Sequence, residues 1–496
     1  MFSATVAMAA LALAVPSAAR HKPTTTAGPR DWAATLRGDA RAFHDRIAAV
    51  HPGLYNRLDP AFAQRNDRAL AVALRRAGQV RKYPGYVWAM RGYVASFDDG
   101  HVQFSTLKGS PTLTAQWPGF LTGVDAQGAQ LVMTRADDAR LPLGARLVSC
   151  DGIAADRLLA TNVGAFAGRW MLASQRIERA GQLFVDTGNP FIRRPARCRF
   201  TVGGKSRDIT LHWRALEDPE WSQRMDATAP SASLPTGART LSDGTRWFAL
   251  PSFNSDPGGA VAKALRLMIA GMRQDRVALL ASPRIVFDLR GNGGGSSQWS
   301  ADMARALWGD AAVDAVDLGT TYIEWRASDE NIATIAQYRD EWEKSPDASH
   351  DALRWARSSL AGLKAARRAG QPLWREADDP VEAKPAPRPA LSKVTVPVYV
   401  LTDWICASAC LDAVDLWKAL GSIVVGRETG ADTNYMEVGR GSLPSGVAQV
   451  GIPMKVWRGR LRGSNVPQVP RYRFDGMMSD TPALDRWIAS LPRRTS

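Results

Sequence analysis

The stretch VPVYVLTDWICASACLDAVDLWKALGSIVVG, residues 396–426, decides the fold class. It begins with VPVYVL, a short apolar run of the kind found in strands that are buried on both faces. The amphipathic segment LDAVDLWKALG follows, and SIVVG is a second apolar run. A strand, a helix and a strand in units of this length predict a mainly parallel sheet in an α/β protein.

The same alternation continues on the N-terminal side of this stretch. TRWFALPSF is expected to form a strand, AVAKALRLMIAGM a helix and RIVFDL a second buried strand. We therefore place an α/β core at residues 236–490. A polar, charged and mostly helical insertion, residues 322–390, interrupts the core without a clear strand signal. A lid over a site and a flexible spacer are both open interpretations of this insertion.

Two further regions precede the core. Residues 31–112 repeat apolar residues at intervals of three and four, which predicts a helical region. Residues 115–215 consist of short alternating runs separated by Gly and Pro, which predicts a β-rich module with a hairpin that turns at Gly203–Gly204. The chain has 496 residues, enough for such a multidomain organisation.

The first residues have the pattern of an export signal. Ala4 to Val15 is an apolar run too short to span a bilayer, and SAA at 17–19 offers small residues for cleavage after Ala19. We expect a signal peptide over residues 1–19, a periplasmic or secreted product, and no transmembrane helix. The net charge of +15 either follows from the composition of the source genome or serves to attract the protein to an acidic polymer or a membrane surface. Because no basic block interleaves with aromatic residues, nucleic acid is not an expected partner.

Four cysteines form an even set in a chain that we expect to be exported. Cys406 and Cys410 are four residues apart, and one helical turn or a tight bend brings such Cα atoms to about 6 Å, within the disulfide range. This spacing predicts a Cys406–Cys410 bridge, with Cys150–Cys198 as a second bridge inside the β-rich module. Two small buried thiols are the alternative at 406 and 410. No cysteine or histidine pattern has the spacing of a zinc site, so neither a metal nor a cofactor is expected.

Two loops that follow core strands carry residues suited to chemistry. In FDLRGNGGGSS, residues 287–297, the glycines form either a plain turn or a backbone whose N–H groups face a developing oxyanion. The pattern fits neither a P-loop nor GxGxxG. Ser408 lies between a strand and a helix, where it is either a nucleophile or a structural N-cap. In a parallel sheet both loops lie at the carboxyl ends of strands, where α/β proteins place their sites.

A nucleophilic serine needs a base, and histidine is the usual candidate. SFDDGHVQF places His101 after an Asp-Asp-Gly turn at the end of the helical region. His44, His51, His212 and His350 are the competing candidates, but none of them follows such a turn.

Together, these segments resemble the C-terminal-processing-protease and tricorn-core family of serine peptidases. DLRGNGGG is similar to the strand-to-glycine signature of that family, ICASACLD to its nucleophile segment, and DDGH to the histidine segment of its tricorn-like branch. HPGLYNRL, which begins at His51, resembles the N-terminal helical region of bacterial members, and LPLGARLVSCDGIAADRLL resembles the second half of a PDZ module. The resemblance implies a crotonase-like α/β peptidase core, a PDZ-like module at residues 115–215 and an N-terminal helical region.

The resemblance also implies roles for individual residues. Ser408 would attack the scissile carbonyl and His101 would accept its proton. Ala409, with Gly294 or Gly295, would donate N–H groups to the oxyanion. The acidic partner of the histidine would come from YRFDGMMSDTP near the C-terminus, where Asp475 is the candidate and Asp480 is the residue that ends a turn.

The chain departs from the family pattern at two positions. The processing-protease branch uses a lysine downstream of the serine as its base, whereas Asp432 and Thr433 stand there in this chain. The tricorn-like branch has a serine before its histidine, whereas this chain has Gly100. The first departure favours His101 as the base. The function expected is that of an exported serine endopeptidase or C-terminal-processing peptidase acting on a peptide or protein, with the oligomeric state left open. A catalytically inactive peptide-binding protein and an esterase on the same fold are the alternatives.

Overall fold

The computed structural model describes residues 30–491, except for 126, 232, 257, 320, 346–349 and 377–392. The expected signal peptide and the last part of the expected insertion therefore lie outside the described residues. Within the described part of the chain, no helix has both the length and the hydrophobicity that crossing a membrane requires.

The N-terminal region is helical because its apolar residues fall on one face of each helix. Three α-helices and a 3-10 turn form it: α1 (Trp32–Val50), the turn Pro52–Tyr55, α2 (Phe62–Ala77) and α3 (Tyr83–Ala95). The helical region ends earlier than residue 112, since the chain forms strand β1 (Gln103–Thr106) after α3. This strand pairs with a strand near the C-terminus, a long-range contact that local periodicity does not reveal. His101 lies in the turn between α3 and β1.

The next region is a β-rich module, as predicted. Its strands are β2 (Ala115–Trp117), β3 (Phe120–Val124), β4 (Gln130–Arg135), β5 (Arg146–Cys150), β6 (Ile153–Ala154), β7 (Arg197–Val202), β8 (Lys205–Thr210) and β9 (Arg214–Leu216). Its helical segments are α4 (Ala155–Leu159), a π turn (Ala160–Gly164), α5 (Ala165–Ala167), α6 (Ala173–Arg179), a 3-10 turn (Ala180–Phe184) and α7 (Glu220–Thr228).

The main sheet of this module has the order β3-β4-β5-β7-β8, with β6 beside β5, while β2 pairs with β9. The β7–β8 hairpin turns at Gly203 and Gly204, both with positive φ, as the sequence predicts. Cys150 and Cys198 stand opposite each other on β5 and β7, and their sulfur atoms lie at bonding distance.

The α/β core contains a six-stranded sheet, in which β10 is antiparallel and the other strands are parallel. Its strands, in sheet order, are β10 (Gly237–Thr240), β11 (Arg246–Ala249), β12 (Ile285–Asp288), β15 (Val398–Thr402), β16 (Ile423–Gly426) and β19 (Tyr472–Arg473). Its helices are α8 (Ala260–Gln274), α9 (Arg276–Leu280), α10 (Gln298–Trp308), α11 (Asp310–Asp314), α14 (Ala409–Ala419) and α15 (Thr481–Ser490). The prediction of a mainly parallel sheet is therefore confirmed.

Helices cover both faces of this sheet, which explains why its strands read as continuous apolar runs. On β12, Phe287 packs into a cluster with α8, α10 and α14. The adjacent Val286 faces the opposite side, where it packs against Leu484 and Ile488 of α15.

The insertion contains strands as well as helices, so the expectation of no strand was wrong. It forms β13 (Tyr322–Arg326), α12 (Asp329–Glu343), α13 (His350–Arg368) and β14 (Leu373–Arg375). These strands join β1, β17 (Tyr435–Ser442) and β18 (Ala448–Arg458) in a second sheet. Trp325 and Trp355 are buried in one cluster with Leu36 and Phe43 of α1. The described part of the insertion is thus a constituent of a core rather than a lid or a spacer.

Candidate active site

One buried carboxylate holds the two loops of interest side by side. These loops follow β12 and β15, which are neighbouring parallel strands. Asp403, directly after β15, accepts hydrogen bonds from the backbone N–H of Gly291 at 3.0 Å and of Ile405 at 3.0 Å, and from the Ser231 hydroxyl at 2.9 Å. Burial raises the pKa of Asp403 to about 6, although the three hydrogen bonds act in the opposite direction. Asp403 therefore fixes the glycine loop beside the loop of Ser408.

The charged residues of the glycine loop are satisfied within the fold. Asp288 and Arg290 form a fully buried ion pair with a separation of 2.6 Å. The Trp247 indole N–H donates to Asp288 at 3.1 Å, and Arg290 donates to the carbonyl of Met478 at 2.8 Å. This ion pair anchors the end of β12 to the C-terminal segment. Because both charged side chains of the loop are paired, its backbone N–H groups are the candidates for a role in chemistry.

Ser408 has a strained backbone conformation, with φ 55° and ψ −127°. A residue other than glycine rarely adopts a positive φ, and such strain costs of order 1–3 kcal/mol and clusters at functional sites. Ser408 stands at the N-cap position of α14, but its side chain makes no capping hydrogen bond. Cys406 and Cys410 enclose it, with their sulfur atoms at bonding distance and their Cα atoms 5.4 Å apart. The structure thus places a half-buried serine on a sharp turn at the start of a helix.

A backbone donor adjoins this hydroxyl. Ala409 is the first residue of α14, and the first N–H groups of a helix have no partner within the helix. Gly294 packs against the same turn, because a Cβ atom built on it would lie 2.8 Å from the Cβ of Ser408 and 3.1 Å from the nitrogen of Ala409. The glycine loop therefore reaches the serine only because residue 294 has no side chain.

The two glycines predicted as oxyanion donors differ in how their N–H groups are used. The N–H of Gly294 donates to Oδ1 of Asn292 at 2.8 Å, so in this structure it is already occupied. Gly295 forms a bridge with Phe253, but the hydrogen bonds of that bridge use the carbonyl of Gly294 and the N–H of Ser296. The N–H of Gly295 takes no part in them. Gly294 is thus the glycine that contacts the turn of Ser408, whereas Gly295 is the one whose N–H takes no part in these hydrogen bonds.

His101 is held by Asp99, two residues before it. The Asp99 Oδ1 atom accepts the backbone N–H of His101 at 2.8 Å and lies 3.4 Å from Nδ1 of the imidazole, an ion-pair contact rather than an aligned hydrogen bond. Burial lowers the pKa of His101, but the Asp99 carboxylate and then the charge of Asp432 outweigh it and leave the pKa above its ordinary value. In turn, His101 holds the pKa of Asp99 below its ordinary value despite burial. An imidazole oriented by a carboxylate is the base that a nucleophilic serine requires.

The guanidinium of Arg169 lies against Gly100, the residue before His101. A Cβ atom on Gly100 would lie 2.9 Å from the guanidinium carbon of Arg169. The Arg169 guanidinium thus fills the space that a side chain at residue 100 would need, and it donates to the carbonyl of Ala431 at 3.0 Å. Its positive charge also opposes protonation of His101.

A loop around Asp432 joins the histidine side of the site to the serine side. Asp432 contributes to the pKa of His101, as noted above, and accepts a hydrogen bond from Arg462 at 2.7 Å. Arg462 also donates to Asp415 at 2.8 Å, a residue of α14, the helix that begins after Ser408. Asn465 completes the link to the turn of His101, because its side-chain amide donates to the carbonyl of Asp98 at 2.7 Å and its backbone N–H donates to the carbonyl of Asp432 at 2.7 Å.

Asp475 does not join this cluster. Its side chain is 71% exposed and lies 3.4 Å from Arg473, and the carboxylate beside His101 belongs to Asp99 instead. The resemblance implied Asp475 through the segment YRFDGMMSDTP, whereas Asp99 stands inside the DDGH motif itself. Asp480 caps α15 by accepting the N–H of Ala483 at 3.0 Å. Among the described residues, no group of three or more His, Cys, Asp or Glu side chains is arranged to hold a metal ion.

Comparisons with known proteins show what this chain is similar to. Residues 248–440 match the family model described as Peptidase family S41. The crystal structure of mature CPAF has a TM-score of 0.57 and 12% identity, and the similarity covers 89% of this chain and 93% of that one. For mature CPAF complexed with lactacystin, the TM-score is 0.59 at 12% identity, with 92% and 98% covered. The photosystem II D1 C-terminal processing protease is matched at 14% identity over 90% and 94%, with a TM-score of 0.31.

No curated protein sequence matches the chain. At 12% identity the CPAF structures show a shared fold. The match to the family model indicates the class of protein, a peptidase. Together they confirm the resemblance inferred from the motifs and the assignment to the serine peptidases, a class of hydrolases.

Proposed function

We propose that this serine peptidase cleaves peptide bonds in a peptide or protein substrate with Ser408 as the nucleophile and His101 as the base. The observation that carries the proposal is the strained backbone of Ser408, whose hydroxyl serves no capping role at the helix start. The carboxylate–imidazole pair of Asp99 and His101 supports it, because Asn465 hydrogen-bonds the turn that carries this pair to the Asp432 loop, which Arg462 links to the helix of Ser408.

The reaction follows from these positions. The Ser408 hydroxyl attacks the scissile carbonyl and its proton passes to Nε2 of His101, because Nδ1 faces Asp99. The resulting oxyanion accepts hydrogen bonds from the N–H groups of Ala409 and Gly295. When the carbon–nitrogen bond breaks, the imidazolium returns the proton to the leaving amine. Water then hydrolyses the acyl-enzyme by the same steps, with His101 again acting as the base.

The pH dependence has a definite sign. His101 acts as a base only when neutral, and its pKa is raised, chiefly by Asp99 against the effect of burial. Activity is therefore low below the pKa of His101 in the folded protein and rises as the pH passes through it. Arg169 limits the rise in this pKa and so keeps the neutral imidazole available at lower pH.

We also propose that the chain is exported and loses residues 1–19. The supporting observations are the N-terminal apolar run and the two cysteine pairs at bonding distance, since disulfides persist in oxidising compartments. Sequencing the N-terminus of the protein recovered from the periplasm or medium tests this proposal. A product beginning at Arg20 is expected, and an intact Met1 in a cytoplasmic protein would contradict it.

A fluorophosphonate probe tests the nucleophile. We expect the wild-type protein to be labelled at Ser408 and the Ser408→Ala variant to remain unlabelled. Peptide and ester substrates should then be compared, because a serine esterase on the same core would also be labelled. Cleavage of peptides supports the peptidase function, and cleavage of esters alone would replace it with the esterase.

A further inference from the structure

His51, the first residue of the HPGLY motif, is fully buried and has no role in the reaction described above. Its Nδ1 atom accepts the backbone N–H of Gly53 at 2.8 Å. Because burial lowers the pKa of His51 to about 3, the ring is neutral at ordinary pH. With Nδ1 acting as an acceptor, the single ring proton must sit on Nε2. This Nε2 atom is buried and has no hydrogen-bond partner.

Asp99 presents a complementary atom. Its Oδ1 atom serves His101, whereas its Oδ2 atom is buried and has no hydrogen-bond partner. Asp99 is also the charged group with the largest influence on His51. A buried polar group that is left unpaired destabilises the folded state, so an unpaired buried donor and an unpaired buried acceptor favour a hydrogen bond with each other.

The surroundings prevent the His51 ring from turning elsewhere. The Phe62 ring stacks on it with centroids 4.3 Å apart, and the Tyr435 ring meets it edge-on at 4.5 Å. Besides Asp99, the charged or titratable groups that act on His51 are Asp59, Arg65 and His101. Asp59 and Arg65 are paired with each other, which leaves Asp99 as the carboxylate available to Nε2.

We infer that His51 is a positioning residue: its Nε2–H and Oδ2 of Asp99, the two buried atoms left without a hydrogen-bond partner in this structure, pair with each other in solution, so that one carboxylate is shared between His51 and His101. The hydrogen bond holds Asp99 in the orientation that directs Nδ1 of His101 toward it. It also takes up part of the carboxylate charge and so moderates the basicity of His101, on which Asp432 and Arg169 act as well. The hydrogen bond itself does not depend on the proposed function; only its consequence for catalysis rests on His101 being the base.

NMR of the full-length protein with nitrogen-15 histidine tests the hydrogen bond without any assay of activity. We expect His51 to be neutral with its proton on Nε2 near pH 7, and this proton to exchange slowly and resonate far downfield. Asp99→Asn should shift that resonance, whereas the control His44→Asn, on the outer face of α1 beside Asp45 and Asp67, should leave it in place. A His51 resonance that is the same in wild type and Asp99→Asn would overturn the inference.

Two substitutions of His51 separate positioning from a role in the turn. Asn can replace the Nδ1 acceptor for the N–H of Gly53 but has no donor at the Nε2 position, whereas Gln can place an amide nitrogen near Nε2 and loses the acceptor. For a positioning role, His51→Asn should raise the pKa of His101 and slow fluorophosphonate labelling about 10-fold, while His51→Gln stays closer to wild type. The reverse order, with Asn unimpaired and Gln impaired, would show that His51 serves only the turn.

The labelling of Ser408 and the hydrogen bond of His51 are measured independently of each other. Labelling that does not require Ser408 would contradict the proposed function and leave the NMR result unchanged. An unshifted His51 resonance in Asp99→Asn would contradict the inference even if Ser408 is the nucleophile.

Discussion

The strain at Ser408 can be measured by comparing Ser408→Gly with Ser408→Ala. Both variants lose the hydroxyl, which makes no capping hydrogen bond, so the difference between them reports the backbone conformation at φ 55°. Glycine relieves strain of about 1–3 kcal/mol but adds about 0.5–1 kcal/mol of chain entropy to the unfolded state. We therefore expect the glycine variant to exceed the alanine variant in unfolding free energy by about 1 kcal/mol.

Urea unfolding followed by tryptophan fluorescence measures this difference, since Trp417 of α14 is buried in the same core. Ser96, at the end of α3 with φ −68°, provides the matched control. There, Ser96→Gly should be less stable than Ser96→Ala, because no strain is relieved. If Ser408→Gly were also the less stable of its pair, Ser408 would carry no backbone strain and the main support for its role as nucleophile would be lost.

Three further predictions concern the charge, the cysteines and the β-rich module. Arg169→Ala should raise the pKa of His101, because the substitution removes a positive charge that opposes protonation. The rise of kcat/KM with pH should then occur at higher pH, and an unchanged pH profile would show that the guanidinium does not act on the base. In mass spectrometry, the unreduced protein should yield Cys406 and Cys410 as a linked peptide, and two alkylated free thiols would refute the bridge. Replacing both cysteines with Ser should slow hydrolysis but change Tm little, because so small a loop constrains the unfolded chain little. An inactivated full-length variant should bind extended C-terminal peptides by strand addition, with hydrogen-exchange protection at an edge strand, β3 or β8; protection confined to the α/β core would contradict a PDZ-like role.

The sequence predicted the parallel sheet well because its signal is local. Each strand is a short continuous apolar run followed by an amphipathic helix, and burial on both faces requires that pattern. The hairpin at Gly203 and the pairing of Cys406 with Cys410 were predictable for the same reason, since each depends on residues that are close in the chain.

Elements that depend on distant partners were missed. YIEWR, in β13, is five residues long within a polar segment, and its pairing with β18 is what makes it a strand. Asp99 was overlooked because its part in the site depends on where its carboxylate points, which the motif DDGH does not specify. The orphaned Nε2 atom of His51 likewise becomes visible only when Phe62 and Tyr435 close around the ring.

Peptide hydrolysis by Ser408→Ala, His101→Ala and the double variant, with substrate in excess, tests the pairing of Ser408 with His101 most directly. Each single variant should lose nearly all turnover, and the double variant should be scarcely slower than either, because residues that act as one catalytic unit are not additive. A His101→Ala variant that hydrolyses peptides at the wild-type rate would contradict the account and show that Ser408 is activated by another group.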